Sequence, residues 1–144
     1  MPDETLLAFD FGVRRIGVAL GNTLTRTARA LEVFDSTPEA QRFAHIEALI
    51  RTWQPQRLVV GRPLNEDGSE SDTTRRAQRF TNQLRGRFNL PVETVDERFS
   101  SREAQAMIED RAQSMPRSRR PREDDAVAAA VILEQYLGGL GAGS

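Results

Sequence analysis

The chain has no cysteine, no lysine and a single histidine. Without cysteine, disulfides, thiolate metal sites and thiol catalysis are excluded together. The one histidine, His45, falls within a helical pattern with nothing chemical beside it, so it reads as a helix-surface residue rather than a ligand. No apolar run approaches membrane-spanning length and no basic-then-apolar leader opens the sequence, which predicts a cytoplasmic protein that makes no membrane contact. Every one of the 20 basic residues is arginine, set against 21 acids for a net charge of −1. That balance excludes binding nucleic acid by bulk electrostatics, while individual arginines remain suited to planar, bidentate phosphate contacts. With 144 residues the chain has the length of one domain with a real core. We expect that domain over 1–138 and a flexible tail over 139–144.

What is present is organised around Leu6–Gly21, an apolar run carrying one carboxylate, a turn, and a second apolar run. Leu6–Phe11 and Ile16–Leu20 read as two buried strands of a hairpin joined by Gly12–Arg15. Alternation puts Leu7, Phe9 and Phe11 on one face and Ala8, Asp10 and Gly12 on the other. With a two- or four-residue connection, the residues facing Asp10 and its neighbours are Gly17, Ala19 and Gly21, so Asp10 stands on a face stripped of bulk. A carboxylate in such a run is expensive to bury without a partner. Either it accepts turn amides from Gly12 to Arg14, or it ligates a cation or meets a phosphate.

Residues 29–34 predict a third strand closing a meander. Thr37 as N-cap and Pro38 at the first helical position start a helix, whose core face is Phe43, Ile46, Leu49, Ile50 and Trp53 and which Pro55 stops. Leu58–Gly61 reads as a short interior strand. A polar loop from Arg62 to Asp72 leads to a helix capped by Asp72 or Thr73, with core face Ala77, Phe80, Leu84 and Phe88. Pro91–Val95 is a fifth strand, and Ser100 with Glu103 forms a capping-box pattern for the next helix. Residues 113–122 read as an exposed loop. A buried helix from Asp124 to Leu137 ends at Gly138. This order predicts an α/β fold with one mixed five-stranded sheet, an antiparallel three-strand meander plus two crossover strands, and helices on both faces.

Three acidic positions stand where an acid is awkward or directed: Asp10 inside a strand, Asp96-Glu97 closing the last strand, and Asp124-Asp125 opening a buried helix. Helix-start acids also cap free amides and complement the macrodipole, and one of Asp96 and Glu97 has a bland, solvated reading. Together, however, they supply the oxygen ligands that Mg²⁺ or Mn²⁺ prefers, and two such ions can hydrolyse a phosphodiester. Arginines accompany them: Arg14 and Arg15 after Asp10, Arg98 after Glu97, and Arg117, Arg119, Arg120 and Arg122 before Asp125.

FDFGVRRIGVA at 9–19, VVGRPLNEDG at 59–68, PVETVDERFS at 91–100 and DAVAAAVILEQYL at 125–137 resemble, in order and over nearly the whole chain, the YqgF (RuvX-like) family. That family is described as pre-16S rRNA nucleases and earlier as Holliday junction resolvases. The resemblance implies a ribonuclease H-like fold and a metal-dependent nuclease whose acids map onto Asp10, Glu97 and Asp125, with Mg²⁺ or Mn²⁺ as cofactor. It implies RNA, pre-16S rRNA above all, as partner, with branched DNA the alternative, acted on by a monomer or weak homodimer. Two positions depart from the family pattern: Arg62 replaces an apolar residue, and Asp124 replaces Ile or Val beside the family's aspartate. Rival readings are a junction resolvase, which needs a two-fold dimer to cut symmetrically, and a non-catalytic RNA-binding factor in ribosome assembly. A kinase-like nucleotide site ranks last, because the chain is too short for a second lobe.

Overall fold

Leu6, Leu7, Ala8 and Phe9 are wholly buried, so the first strand has protein on both its faces. The computed structural model describes residues 4–63, 67–96 and 123–142. In chain order the elements are β1 (Thr5–Phe11), β2 (Arg15–Asn22), β3 (Thr27–Asp35), α1 (Glu39–Trp53), β4 (Arg57–Arg62), α2 (Asp72–Phe88), β5 (Val92–Asp96) and α3 (Glu123–Ala142). The five strands form one sheet in the order β3-β2-β1-β4-β5. β1 to β3 make the expected antiparallel meander, and β4 and β5 add in parallel to β1. Because β1, β4 and β5 run the same way, Phe11, Arg62 and Asp96 all lie at one end of the sheet.

Alternation along β1 divides the core in two. Leu7, Phe9 and Phe11 join Ile16 and Val18 against Phe43, Ile46 and Leu49 of α1 and Ala77, Phe80 and Leu84 of α2. Phe80 is the hub of this layer, with the rings of Phe9, Phe11 and Phe43 at 6.0, 5.1 and 6.2 Å. On the other face Leu6, Ala8, Ala19 and Val59 pack against Ala129, Ile132, Leu133 and Leu137 of α3. The apolar circumference of α3 thus meets the sheet, as its composition predicts. His45 lies on the surface side of α1, stacked on Phe34 at 4.3 Å and hydrogen-bonded to Glu32.

Three helix ends differ from expectation. The N-cap of α1 is Pro38, with no side-chain cap, and not Thr37; the Thr37–Pro38 peptide is cis. The cap of α2 is Ser71, not Asp72 or Thr73. Its hydroxyl accepts the Thr74 amide at 3.1 Å while the Thr74 hydroxyl accepts the Ser71 amide at 2.9 Å, and Thr74 donates to the Pro63 carbonyl. A hydroxyl able to accept one bond and donate another satisfies this corner in a way that a carboxylate cannot. Finally, α3 continues past Gly138 to Ala142, into the segment expected as a tail; glycine inside a helix costs about 1 kcal/mol but does not forbid it. The predicted helix after Ser100 and the loop at 113–122 lie outside the described residues.

Candidate active site at the hairpin and the start of the last helix

Asp10 stands directly opposite Gly17 in the β1–β2 ladder, with Ala8 opposite Ala19 and Leu6 opposite Gly21. Leu6, Ala8 and Ala19 all belong to the core layer under α3, so alternation turns Asp10 and Gly17 toward that helix as well. The bare face expected around the carboxylate is therefore real, and what approaches it is backbone. A Cβ placed on Gly17 would sit 1.9 Å from the carbonyl oxygen of Asp125 and 2.9 Å from the nitrogen of Ala126. Only glycine lets the first turn of α3 come this close to β2. Gly17 is thus the shared neighbour of two acids about a hundred residues apart in sequence.

Asp125 is half-buried, and Arg15, the first residue of β2, brings its Nε to 3.1 Å from the Asp125 Oδ2. The ion pair ties the hairpin turn to the helix start. The turn itself is tight: a Cβ at Gly12 would meet the Arg15 carbonyl oxygen at 2.5 Å. Its far side is held just beyond β3, where the Ser36 amide donates to the Arg14 carbonyl at 2.9 Å. Around these residues opens a groove of about 870 Å³ lined by Gly12, Val13, Arg14, Arg15, Asp35, Thr37 and Asp125.

Of the predicted site residues, the structure thus gathers Asp10, Arg14, Arg15 and Asp125 at one end of the sheet. β5 delivers Asp96 to that same end, opposite Arg62 in the ladder. Arg62, the charge that departs from the family pattern, pairs with Glu70 at 2.6 Å. Glu97, Arg98, Arg117, Arg119, Arg120 and Arg122 lie outside the described residues, as does the side chain of Asp124. Among the described residues no three potential ligands come together as a metal cluster; two residues that carry the oxygen ligands a hard divalent cation takes neighbour Gly17, Asp10 across the ladder and Asp125 through its main chain. Sequence reasoning missed Asp35. It lines the groove and faces Arg15 in the β2–β3 ladder, and its signal was a strand running one residue beyond the predicted end at Phe34.

Comparison with known proteins agrees with this architecture. The chain is 57% identical over 137 residues to a protein of Bordetella parapertussis, covering 95% of this chain and 96% of that one, which carries a provisional name as a pre-16S rRNA nuclease. A similarly named Burkholderia mallei protein is 54% identical over 96% of this chain and 90% of its own. Among solved structures, RuvC of T. thermophilus in complex with a Holliday junction substrate superposes with a TM-score of 0.55 at 16% identity, over 95% of this chain and 96% of that one. The fowlpox virus resolvase with its junction DNA reaches 0.59 at 10% identity, over 94% of this chain and 98% of that one. These two likenesses establish the ribonuclease H-like fold. The family model for RuvX, described as Holliday junction resolvase, matches residues 4–139, and the chain belongs to that family of nucleases.

Proposed function

We propose that this single domain is a divalent-metal-dependent nuclease that hydrolyses a phosphodiester of precursor 16S rRNA, in the cytoplasm, as a monomer or weak homodimer. The observation that supports the reading is that Gly17 has Asp10 opposite it in the ladder and the main chain of Asp125 against it, beside a groove lined by Asp125, Arg14 and Arg15. Asp10, Asp125 and Glu97 would hold Mg²⁺ or Mn²⁺, which would supply activation of the attacking water and stabilisation of the leaving oxygen. Asp10 serves from near the end of the central strand, where the ladder holds it opposite Gly17. Asp125 is fixed by the contact of its carbonyl with β2. Arg14 and Arg15 orient the scissile strand by its phosphates, joined by Arg98, Arg117, Arg119, Arg120 and Arg122. The names of the Bordetella and Burkholderia relatives favour rRNA as substrate.

The test is cleavage of a 5′-extended 16S rRNA fragment in Mn²⁺ by the wild type, Asp10→Asn and Asp125→Asn. Loss of at least 100-fold in both variants, with folding intact by circular dichroism, is expected. Wild-type rates in either variant would remove that residue from the site. The description of the matching family favours a second reading, a junction resolvase. Symmetric nicking of a synthetic four-way junction by a dimer, with the rRNA fragment left uncut, would select it.

A further inference from the structure

The chain as a whole is slightly acidic, and of the two described arginines of the groove one is already engaged by Asp125. Positive charge is concentrated elsewhere. From Thr73 to Val92 there is no aspartate or glutamate, and Arg75, Arg76, Arg79, Arg85 and Arg87 all fall within that window. All five are exposed on α2, interspersed with Gln78, Asn82 and Gln83. Arg76, Arg79, Gln83 and Arg87 follow at three- and four-residue steps, forming one stripe about 16 Å long.

Two acids border the stripe and do not cancel it. Asp72 is shared between Arg76 at 2.9 Å and Arg75 at 3.9 Å. Glu39 accepts from Arg42 at 3.0 Å and Gln83 at 2.9 Å, and stands in the combined field of Arg42, Arg79 and Arg87. The inward residues of α2 are consumed by the core, so its outer face offers guanidinium and amide groups with no aromatic or aliphatic anchor. Protein interfaces use arginine too, but seated with aromatic anchors in an apolar, desolvated centre, which this face lacks; a phosphate backbone needs only the charges and donors. α2 packs on the sheet face opposite α3, so this surface is separate from the groove. Its first turn follows β4, whose end lies at the same side of the sheet as Asp10.

We propose that the outer face of α2 is a second nucleic-acid contact surface that grips the sugar–phosphate backbone of structured RNA flanking the cut. The idea rests on the nuclease reading for its purpose but not for its binding. The test is fluorescence anisotropy of a hairpin RNA with a single-stranded flank, in metal-free buffer across a salt series, using the whole chain. Compared with wild type, the triple variant Arg76→Gln/Arg79→Gln/Arg87→Gln should bind at least tenfold more weakly at 100 mM salt. Its log K against log salt should be shallower by about 2–3, from three lost phosphate contacts. The Lys triple variant should restore most of the slope. A wild-type slope in the Gln variant would overturn the proposal and leave the face to an acidic protein or to solvent. Cleavage of a six-nucleotide substrate in Mn²⁺ should be unchanged in the Gln variant; its loss would also overturn the proposal, by showing that the arginines act through the fold or the groove. If the wild type cuts nothing while the slope still changes, the nuclease reading fails and the surface stands.

Discussion

Replacing Gly17 by alanine tests the site at its tightest point. The new Cβ would lie 1.9 Å from the Asp125 carbonyl oxygen and 2.3 Å from its carbon, whereas real contacts essentially never fall below 3.0 Å. Both partners are main chain, so no side-chain rotation relieves the clash, and the first turn of α3 must retreat from β2 by about 1 Å. Overpacking of this kind costs about 1–3 kcal/mol. For a domain of this size each kcal/mol is worth roughly 3–4 °C, so melting should fall by about 3–12 °C. A displacement of about 1 Å at a reacting group can cost about 100-fold in rate. The expected result is therefore a folded, less stable protein with cleavage reduced about 100-fold. Gly86→Ala is the control: no atom lies within 4 Å of its added Cβ, and the helix should gain about 0.5–1 kcal/mol with cleavage unchanged. Thermal melts and initial cleavage rates on the three proteins decide it. Should Gly17→Ala melt within a degree of wild type and cut at the wild-type rate, the close approach of α3 to β2 is wrong.

Phe80→Ala should lower stability by about 3–5 kcal/mol in urea titration, since three phenylalanine rings pack on it; a loss under 1 kcal/mol would deny it the centre of the core. Arg15→Ala removes a cation from Asp125, so calorimetric Mn²⁺ affinity should rise about two- to fivefold, the range of a partly exposed pair, while RNA affinity falls. Weaker Mn²⁺ binding would instead make Arg15 a support for the carboxylate. Burial raises the Tyr136 phenol above its ordinary 10.0. The native state then keeps its proton where the unfolded chain releases it, so the stabilisation is full below pH 10 and disappears as pH rises through the native value. Tyr136→Phe should make the alkaline decline of the urea midpoint shallower, and an unchanged slope would refute the link.

The hairpin was readable because its information is local. Asp10 interrupts an apolar run, alternation assigns its face, and the short turn sets its register against Gly17. The buried nature of α3 was equally plain in its composition, but not its C-terminal end, because the glycines at 138 and 139 weaken a helix without forbidding it. The cap of α2 is Ser71 through a bond network that reaches Pro63, a tertiary partner that no local pattern contains. The ion pair of Arg15 with Asp125 is invisible in the sequence, since only the packing of α3 brings that carboxylate near. The arginines of α2 carry no signal in the sequence for a related reason. Each resembles an ordinary solvated residue until Glu39 and Arg42 of another helix are placed beside them.

The dependence on Gly17 and Asp125 has a temporal side. A chain is made from its N-terminus, so the hairpin with Asp10 emerges while the residues that complete the acid pair are still to be added. Nothing folded from the early part alone can contain both carboxylates. The contact of α3 with Gly17 of β2 can therefore close only after synthesis has passed Asp125, however early the hairpin itself has formed.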